Sequence, residues 1–342
     1  MTIQKKPYAV IRALRSNSVN QRVHVILNPA ADHGQALKHA SQIEAVLDRE
    51  GIRYEMVLTQ GSGHALELAR QAVGHSLIVA AGGDGTVNEV VNGLMRRSGE
   101  DERPELGVIP IGRGNDFAYS LGVPHDVGSA CDVLLKGGSH SLDVGLVIGG
   151  YYPDGRYFAN GIGIGFDTLV GLEAAKATWI PGFLGYLYGA LKMLFVYPRA
   201  PLVRIEFPRG EHDELLTRSH QISVMNGRRM GGAFYMAPAG RNNDGLLDLC
   251  MTNRELSRGK LLAAMMQYLK GSQGRNPAIF GSRAEEIHIR AEEGGLACHA
   301  DGETVCIEGR ELHIRCLPGA LRVRRDGGKD EQVKDHEDNE GR

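Results

Sequence analysis

The chain has 342 residues, of which 42% are hydrophobic and 23% charged, and a formal net charge of −2. That length suits two packed domains, the composition excludes global disorder, and the lack of a basic excess argues against nucleic acid as a partner. Five cysteines (Cys131, Cys250, Cys298, Cys306 and Cys316), none in a C-x-x-C pair, argue against a disulfide framework or a cysteine-ligated zinc and point to a reducing cytosol.

Residues 1–21 read as a loose leader, with no apolar run and cleavage site of a signal peptide. Val23 to Leu27 is a short apolar run, hence a buried strand. Gln35 to Glu50 places Ala36, Ala40, Ile43 and Leu47 at helical spacing and ends at Gly51. A strand over Tyr54–Leu58 follows, then a helix over His64–Val73, a strand over Ser76–Ala81 and a helix over Val87–Met95. Leu106–Pro110 is again a strand and Val127–Lys136 again a helix. This alternation predicts a doubly wound parallel sheet over 22–143, with ligands beyond the carboxyl ends of its strands.

After about residue 140 the pattern turns to strands: Ser141–Ile148, Arg156–Ile164, Val203–Phe207, Gln221–Met225, Leu246–Met251, Ile287–Arg290, Leu296–His299, Leu312–Cys316 and Leu321–Val323. Helices are expected over Asp167–Lys176 and Arg258–Leu269. A second, larger and mainly antiparallel β domain is therefore predicted for 144–325, and a charged, disordered tail for 326–342. Trp179 to Val196 is apolar but broken by Pro181, Gly182, Gly185 and Gly189 and carries Lys192, so it reads as a helix from near Phe183 packed on the protein rather than a span.

The strand ending at Ala81 runs into Gly82-Gly83-Asp84-Gly85-Thr86, and a helix follows. Glycines tolerate unusual backbone angles and admit a ligand close to the main chain. Successive amides form an anion nest, and the helix adds its positive end. Thr86 can donate a hydroxyl bond, and Asp84 can hold magnesium or its waters. The loop is neither a P-loop, since no lysine follows, nor a dinucleotide fingerprint. Two more loops share that sheet edge, Asn28 to Gly34 and Gly112 to Phe117. Each alone is an ordinary turn, but together they would line one crevice. Arg228-Arg229 suits anionic headgroups or a solvated turn. His24, His299 and His313, in strand-like runs, read as structural histidines.

GGDGTVNEVVNGL, preceded by VILNPAADHG and followed by PIGRGNDFAYSLG, resembles the catalytic domain of the diacylglycerol and sphingosine kinase family, with soluble bacterial lipid kinases nearest. DVGLV, FANGIGIGFDTLV, NGRRMGGAFYMAPAGRNNDGLLDL and HADGETV continue the match in order over roughly residues 22–325. G-G-D-G-T alone is shared with NAD kinases, while the ordered set is specific. The resemblance implies an NAD-kinase-like nucleotide domain with ATP in the cleft before the β-rich domain, and transfer of the γ-phosphoryl group to a lipid hydroxyl. It implies nucleotide contacts from Asn28, Thr59, Gly82, Gly83, Asp84, Gly85, Thr86, Val87, Asn88, Glu89, Arg113 and Asp116. It implies a proton acceptor at Glu303 with Asp301 beside it, and a Mg²⁺ held by the Asp244 carboxylate and the carbonyls of Arg241 and Leu246. Taken by itself, Asp301-Gly302 is a good hairpin turn. Arg113 stands where the family usually has threonine. A lipid at a membrane surface is the implied partner, making the chain a cytoplasmic, peripherally membrane-associated enzyme, with a homodimer as one possible assembly. The alternatives are an NAD-kinase-like enzyme with a soluble substrate and a non-catalytic nucleotide- or lipid-binding regulator.

Overall fold

The computed structural model describes residues 10–13, 22–97, 103–177, 180, 183–196 and 199–326. The expected tail lies outside these residues except for Asp326, as does most of the expected leader. In chain order the first half contains β1 (Val10–Ala13), β2 (Arg22–Leu27), α1 (Ala36–Arg49), β3 (Arg53–Leu58), α2 (His64–Gln71), β4 (Leu77–Gly82), α3 (Asp84–Met95), β5 (Glu105–Pro110), α4 (Asp116–Ser120) and α5 (Val127–Lys136). The second half contains β6 (Gly138–Gly149), β7 (Tyr152–Phe158), β8 (Gly161–Gly165), α6 (Phe166–Lys176), α7 (Phe183–Val196), β9 (Leu202–Gly210), β10 (Glu214–Arg218), β11 (Gln221–Met225), β12 (Leu247–Thr252), α8 (Arg258–Lys270), β13 (Ile279–Glu293), β14 (Leu296–Ala300), β15 (Glu303–Gly309) and β16 (Glu311–Arg325).

Strands β3-β2-β4-β5 are parallel, in that order. Helices α1 and α5 pack together, as do α2 and α3, which is the doubly wound arrangement with its switch point between β2 and β4. The core explains the helical spacing: Ala36, Ala40, Ile43 and Leu47 are the buried residues of α1. β4 is buried along its whole length, as a central parallel strand must be. The second half is an antiparallel sandwich around Val147, Phe158, Ile205, Leu249, Ile289 and Ile314. The two halves share one hydrogen-bonded sheet, because β16 lies antiparallel to β6 and β13 and touches β5 in parallel at Val323 and Leu106. Leu321 and Val323 thereby enter the core of the first domain, beside Leu142 and Val144.

Several boundaries differ from expectation. The leader contains β1, antiparallel to β3 on the sheet edge. Arg156–Ile164 is two strands, not one, because the main chain breaks at Ala159 and Asn160 to turn their amides toward the Asp301 carboxylate. Leu312–Cys316 and Leu321–Val323 are one strand interrupted by a register shift between Leu317 and Leu321. Pro318 lacks a ladder donor and Gly319 has φ +58°, the usual composition of a bulge. Helix α3 starts at Asp84, so the glycine run forms its first turn. No helix of the described residues is long and apolar enough to cross a membrane.

Candidate active site

The nominated phosphate loop sits at the switch point. The Asn28 amide N–H donates to the Ala81 carbonyl (3.0 Å) and the Thr59 N–H to that of Leu27 (2.8 Å), which gathers the ends of β2, β3 and β4. The Asn28 side chain donates from Nδ2 to Thr86 Oγ1 (3.1 Å). Helix α3 makes its first backbone bond from Val87 N to Gly83 O, so the preceding amides lack helical acceptors and are free to meet an anion. The glycines serve space rather than backbone angle, since none of Gly82, Gly83, Gly85, Gly112 and Gly114 has positive φ. A Cβ on Gly82 would meet Thr86 Oγ1 at 2.5 Å, and one on Gly112 would meet the Gly83 Cα at 2.4 Å, whereas one on Gly85 would meet nothing within 4 Å. Gly85 therefore marks the open side of the loop.

Glu89 and Asn88, both nominated as nucleotide contacts, face elsewhere. Glu89 accepts the Gly63 and Ala65 N–H groups (2.8 and 3.0 Å) and so caps α2. Asn88 is fully buried, accepting Arg156 Nη2 (2.6 Å) and donating to Asp301 Oδ2 (3.0 Å). It joins the two domains.

Between the domains lies a cleft of about 530 Å³ whose lining includes Asp84, Arg113, Asp116, Met230, His299 and Asp301. Three of these are carboxylates, with different surroundings. Asp116 is buried, paired with Arg229 Nε (2.8 Å) and accepting the Gly232 N–H (2.9 Å). Arg229 also stacks over the Tyr119 ring at 4.1 Å, so Arg229 clamps the two domains, while the Arg228 side chain donates to the Gly240 carbonyl (3.0 Å) within the β domain. Asp301 has φ +47° and Gly302 φ +86°, the signature of a type I′ hairpin. Its carboxylate accepts the N–H groups of Ala159 (2.8 Å), Asn160 (3.1 Å) and Gly161 (2.8 Å) besides Asn88. The turn is thus both a hairpin and an anchor. Asp84 is half-buried and accepts the Phe117 N–H (3.1 Å). Burial first, and the Asp116 charge second, push its carboxyl up to about 6.

Glu303 does not line this cleft. Its strand pairs with β14 so that it sits opposite Ala300. Beside Asp301, His299 is held between the Gly302 N–H, received at Nδ1 (3.3 Å), and Asp167 Oδ2, 3.1 Å from Nε2. That arrangement selects the Nε2–H tautomer. A Cβ at Gly163 would lie 2.2 Å from the Asp167 carboxylate, so only glycine leaves room for the pair. The roles of Asn160, Arg229 and His299 depend on contacts across more than 60 residues, and no local signal in the sequence announces them.

Residues 22–147 match the family model "Diacylglycerol kinase catalytic domain" and residues 160–325 match "YegS C-terminal NAD kinase beta sandwich-like domain". The chain belongs to the YegS-like, diacylglycerol-kinase-type family of lipid kinases. It is 33% identical over 306 residues to "Probable lipid kinase YegS" of Salmonella typhimurium, covering 88% of this chain and 94% of that one. It is 31% identical over 291 residues to "Diacylglycerol kinase" of Bacillus subtilis, covering 83% and 90%. A crystal structure of a diacylglycerol kinase from Bacillus anthracis shares the fold, with a TM-score of 0.67 at 22% identity over 91% of this chain and 99% of that one.

This lipid kinase homologue has a second cavity next to the cleft. It is narrow, about 50 Å³, and its walls include Phe166, Val170, Ala190, Met236, Leu261 and Met265. Met230 borders both spaces, and Asp167 in the cavity wall holds His299 in the cleft. Helix α7 covers the cavity with Ala190 and exposes Leu184, Leu187, Leu191 and Phe195 on its other side, and α8, which contacts α7, exposes Leu262 and Met266. This is an apolar surface of the kind that marks an interaction site.

The loop proposed for magnesium lies elsewhere in the β domain. Asp244 is exposed and accepts the Leu246 N–H (3.1 Å), while the adjacent Gly245 N–H goes to Asp143 Oδ2 (2.7 Å). Burial, then the Asp244 charge, push the Asp248 carboxyl up to about 6. An exposed aspartate carboxylate whose charge bears on a second one, Asp248, offers oxygen donors of the type a hard cation takes.

Proposed function

We propose that this chain transfers the γ-phosphoryl group of ATP to the primary hydroxyl of a lipid, diacylglycerol or a relative of it. The observation that carries the reading is the apolar cavity opening beside the carboxylate-lined cleft, with Met230 common to both. A soluble acceptor such as NAD gives no reason for that cavity or for the apolar outer face of α7. The cavity is too narrow for an acyl chain as it stands. Methionine is unbranched and adaptable, so Met230, Met236 and Met265 can shift to admit one.

On this reading the amides from Gly83 to Thr86 hold the polyphosphate, with Asn28 fixing Thr86 beneath it. Arg113 lines the cleft where the family's threonine usually stands, and a guanidinium there suits a phosphate oxygen. ATP arrives with Mg²⁺, which neutralises its phosphates. A second Mg²⁺ would be held by Asp244 and the carbonyls of Arg241 and Leu246, bracing a loop outside the cleft. Phosphoryl transfer then needs alignment and a proton acceptor. Asp116 and Asp301 are committed to their partners, which makes Asp84 the cleft carboxylate best able to take the lipid proton. Asp301 is a positioning residue that holds the Ala159–Gly161 amides. A second reading keeps the acceptor at Glu303, whose carboxylate has no hydrogen-bonded or ionic partner among the described residues. The apolar face of α7 would rest on the membrane that supplies the lipid.

The test is transfer of label from [γ-³²P]ATP with Mg²⁺ to a panel of lipids in mixed micelles, with NAD as the soluble acceptor. Label in a lipid and not in NAD supports the proposal. Label in NAD alone, or ATP binding with no transfer to any acceptor, would overturn it in favour of a soluble acceptor or a non-catalytic regulator.

A further inference from the structure

Away from the cleft, three side chains converge that the proposed reaction does not use. His24 on β2 is the register partner of Glu55 on β3, and His75 lies in the connection from α2 to β4. Nδ1 of His24 is 3.7 Å from Glu55 Oε2, and Nε2 of His75 is 3.5 Å from the same oxygen. The three ligand atoms lie within 4.8 Å of one another. His24 is 5% exposed, yet neither of its ring nitrogens has a hydrogen-bond partner among the described residues. A buried imidazole without a hydrogen bond requires an explanation, and an ion is one of the few available.

We propose that His24, Glu55 and His75 form a binding site for a divalent transition metal, with Zn²⁺ the expected occupant. Two imidazoles and one carboxylate are the donor set of open zinc sites, with bonds of about 2.0–2.2 Å. Tetrahedral ligands at that bond length stand about 3.4 Å apart, so the two edges to Glu55 need to close by only a few tenths of an ångström. The fourth position faces a cavity of about 330 Å³ bordered by Val57, Leu68, Ala72 and Val73, with room for water. Histidine must be neutral to bind metal. Two cations bear on His75, Arg22 first and then Arg97, the latter turned onto the carbonyls of Ala69 and Ala72.

The site is separate from the nucleotide loops. His24 precedes Asn28 by four residues, about 13 Å along a strand. A metal there would tie β2 and β3 to the connection beyond α2, the helix whose opposite end Glu89 caps. His24, which strand periodicity alone assigns to the core, becomes a ligand.

The test uses the full chain, stripped with a chelator, dialysed, and titrated with ZnCl₂ at pH 7.5 by calorimetry and by thermal melting. One equivalent should bind, with a rise in Tm that MgCl₂ does not reproduce. Glu55→Gln and His75→Ala should each weaken binding by about 100-fold or more, since even outer-shell partners are worth ten- to a hundredfold. Glu55 is partly exposed, so its substitution leaves the fold intact, and circular dichroism verifies this. Absence of a saturable single equivalent, or zinc binding unchanged in both variants, would overturn the proposal.

Discussion

Gly83 and Gly112 meet backbone to backbone: a Cβ on Gly112 would lie 2.4 Å from the Gly83 Cα. The two loops that follow β4 and β5 therefore form one surface, and Gly85 is its open point. Gly112→Ala should cost about 1–3 kcal/mol of stability through overpacking and weaken ATP binding as well. Gly85→Ala should leave Tm nearly unchanged and still weaken ATP, because its methyl occupies ligand space. Melting curves and ATP titrations of both variants separate the two effects. Equal losses of Tm would contradict this division.

Asp84 links stability to pH with an unusual sign. Its folded pKa of about 6 lies above the ordinary aspartate value of 3.8, so folding favours the protonated form. The stability it contributes is full below about pH 4 and is lost as pH rises through 6. Above that, the ionised carboxylate costs the apo protein on the order of 1–3 kcal/mol. Asp84→Asn should raise Tm at pH 8, by an amount that shrinks toward pH 4, while removing phosphoryl transfer. A lower Tm at pH 8 in the variant would refute the assignment. The same transfer assay on Glu303→Gln decides between the two acceptors: a loss as complete as that of Asp84→Asn would restore Glu303 to the role.

Asp301 holds three main-chain amides that lie some 140 residues away in sequence. Asp301→Ala leaves those three donors without their acceptor, each a buried group costing about 1–3 kcal/mol when unpaired, and leaves Asn88 Nδ2 with the Tyr157 carbonyl (3.2 Å) as acceptor. A loss of roughly 3 kcal/mol or more in denaturant unfolding is expected. A loss near zero would show that water takes over the carboxylate's place.

This anchor also shows where sequence reasoning stops. Apolar spacing located the buried face of α1 residue by residue, and the glycine run marked the carboxyl end of β4, because both are local patterns. The carboxylate of Asp301 reaching Ala159–Gly161 is a long-range contact, as is Val323 of β16 beside Leu106 of β5. Periodicity states which face of a strand is buried but not which neighbour it meets. For the same reason Asn88 and Glu89 were legible as part of the family-like string GGDGTVNEVVNGL yet not as a domain joint and a helix cap. Arg229 read as a surface charge because its partner Asp116 lies 113 residues before it.

The outer face of α7 carries the membrane part of the account. Leu191 is 54% exposed and Phe195 84%, and burying them in a bilayer is worth about 1.5–3 kcal/mol each. Leu191→Glu with Phe195→Glu should lower activity on long-chain lipid in vesicles by about tenfold or more and leave activity on a short-chain, water-soluble analogue intact. Sedimentation with vesicles checks the loss of binding. Equal loss on both substrates would place these residues in the fold and not at a membrane.

The most direct test of the central claim, that cleft and cavity form one site, is the kinetics of label transfer from [γ-³²P]ATP to diacylglycerol in Met265→Trp. The substitution fills the cavity without touching the nucleotide loops. The account predicts at least about a tenfold fall in kcat/KM for the lipid, the scale at which a pocket discriminates by size, with KM for ATP unchanged. Unaltered lipid kinetics in a folded variant would contradict it, since the lipid chain would then bind elsewhere.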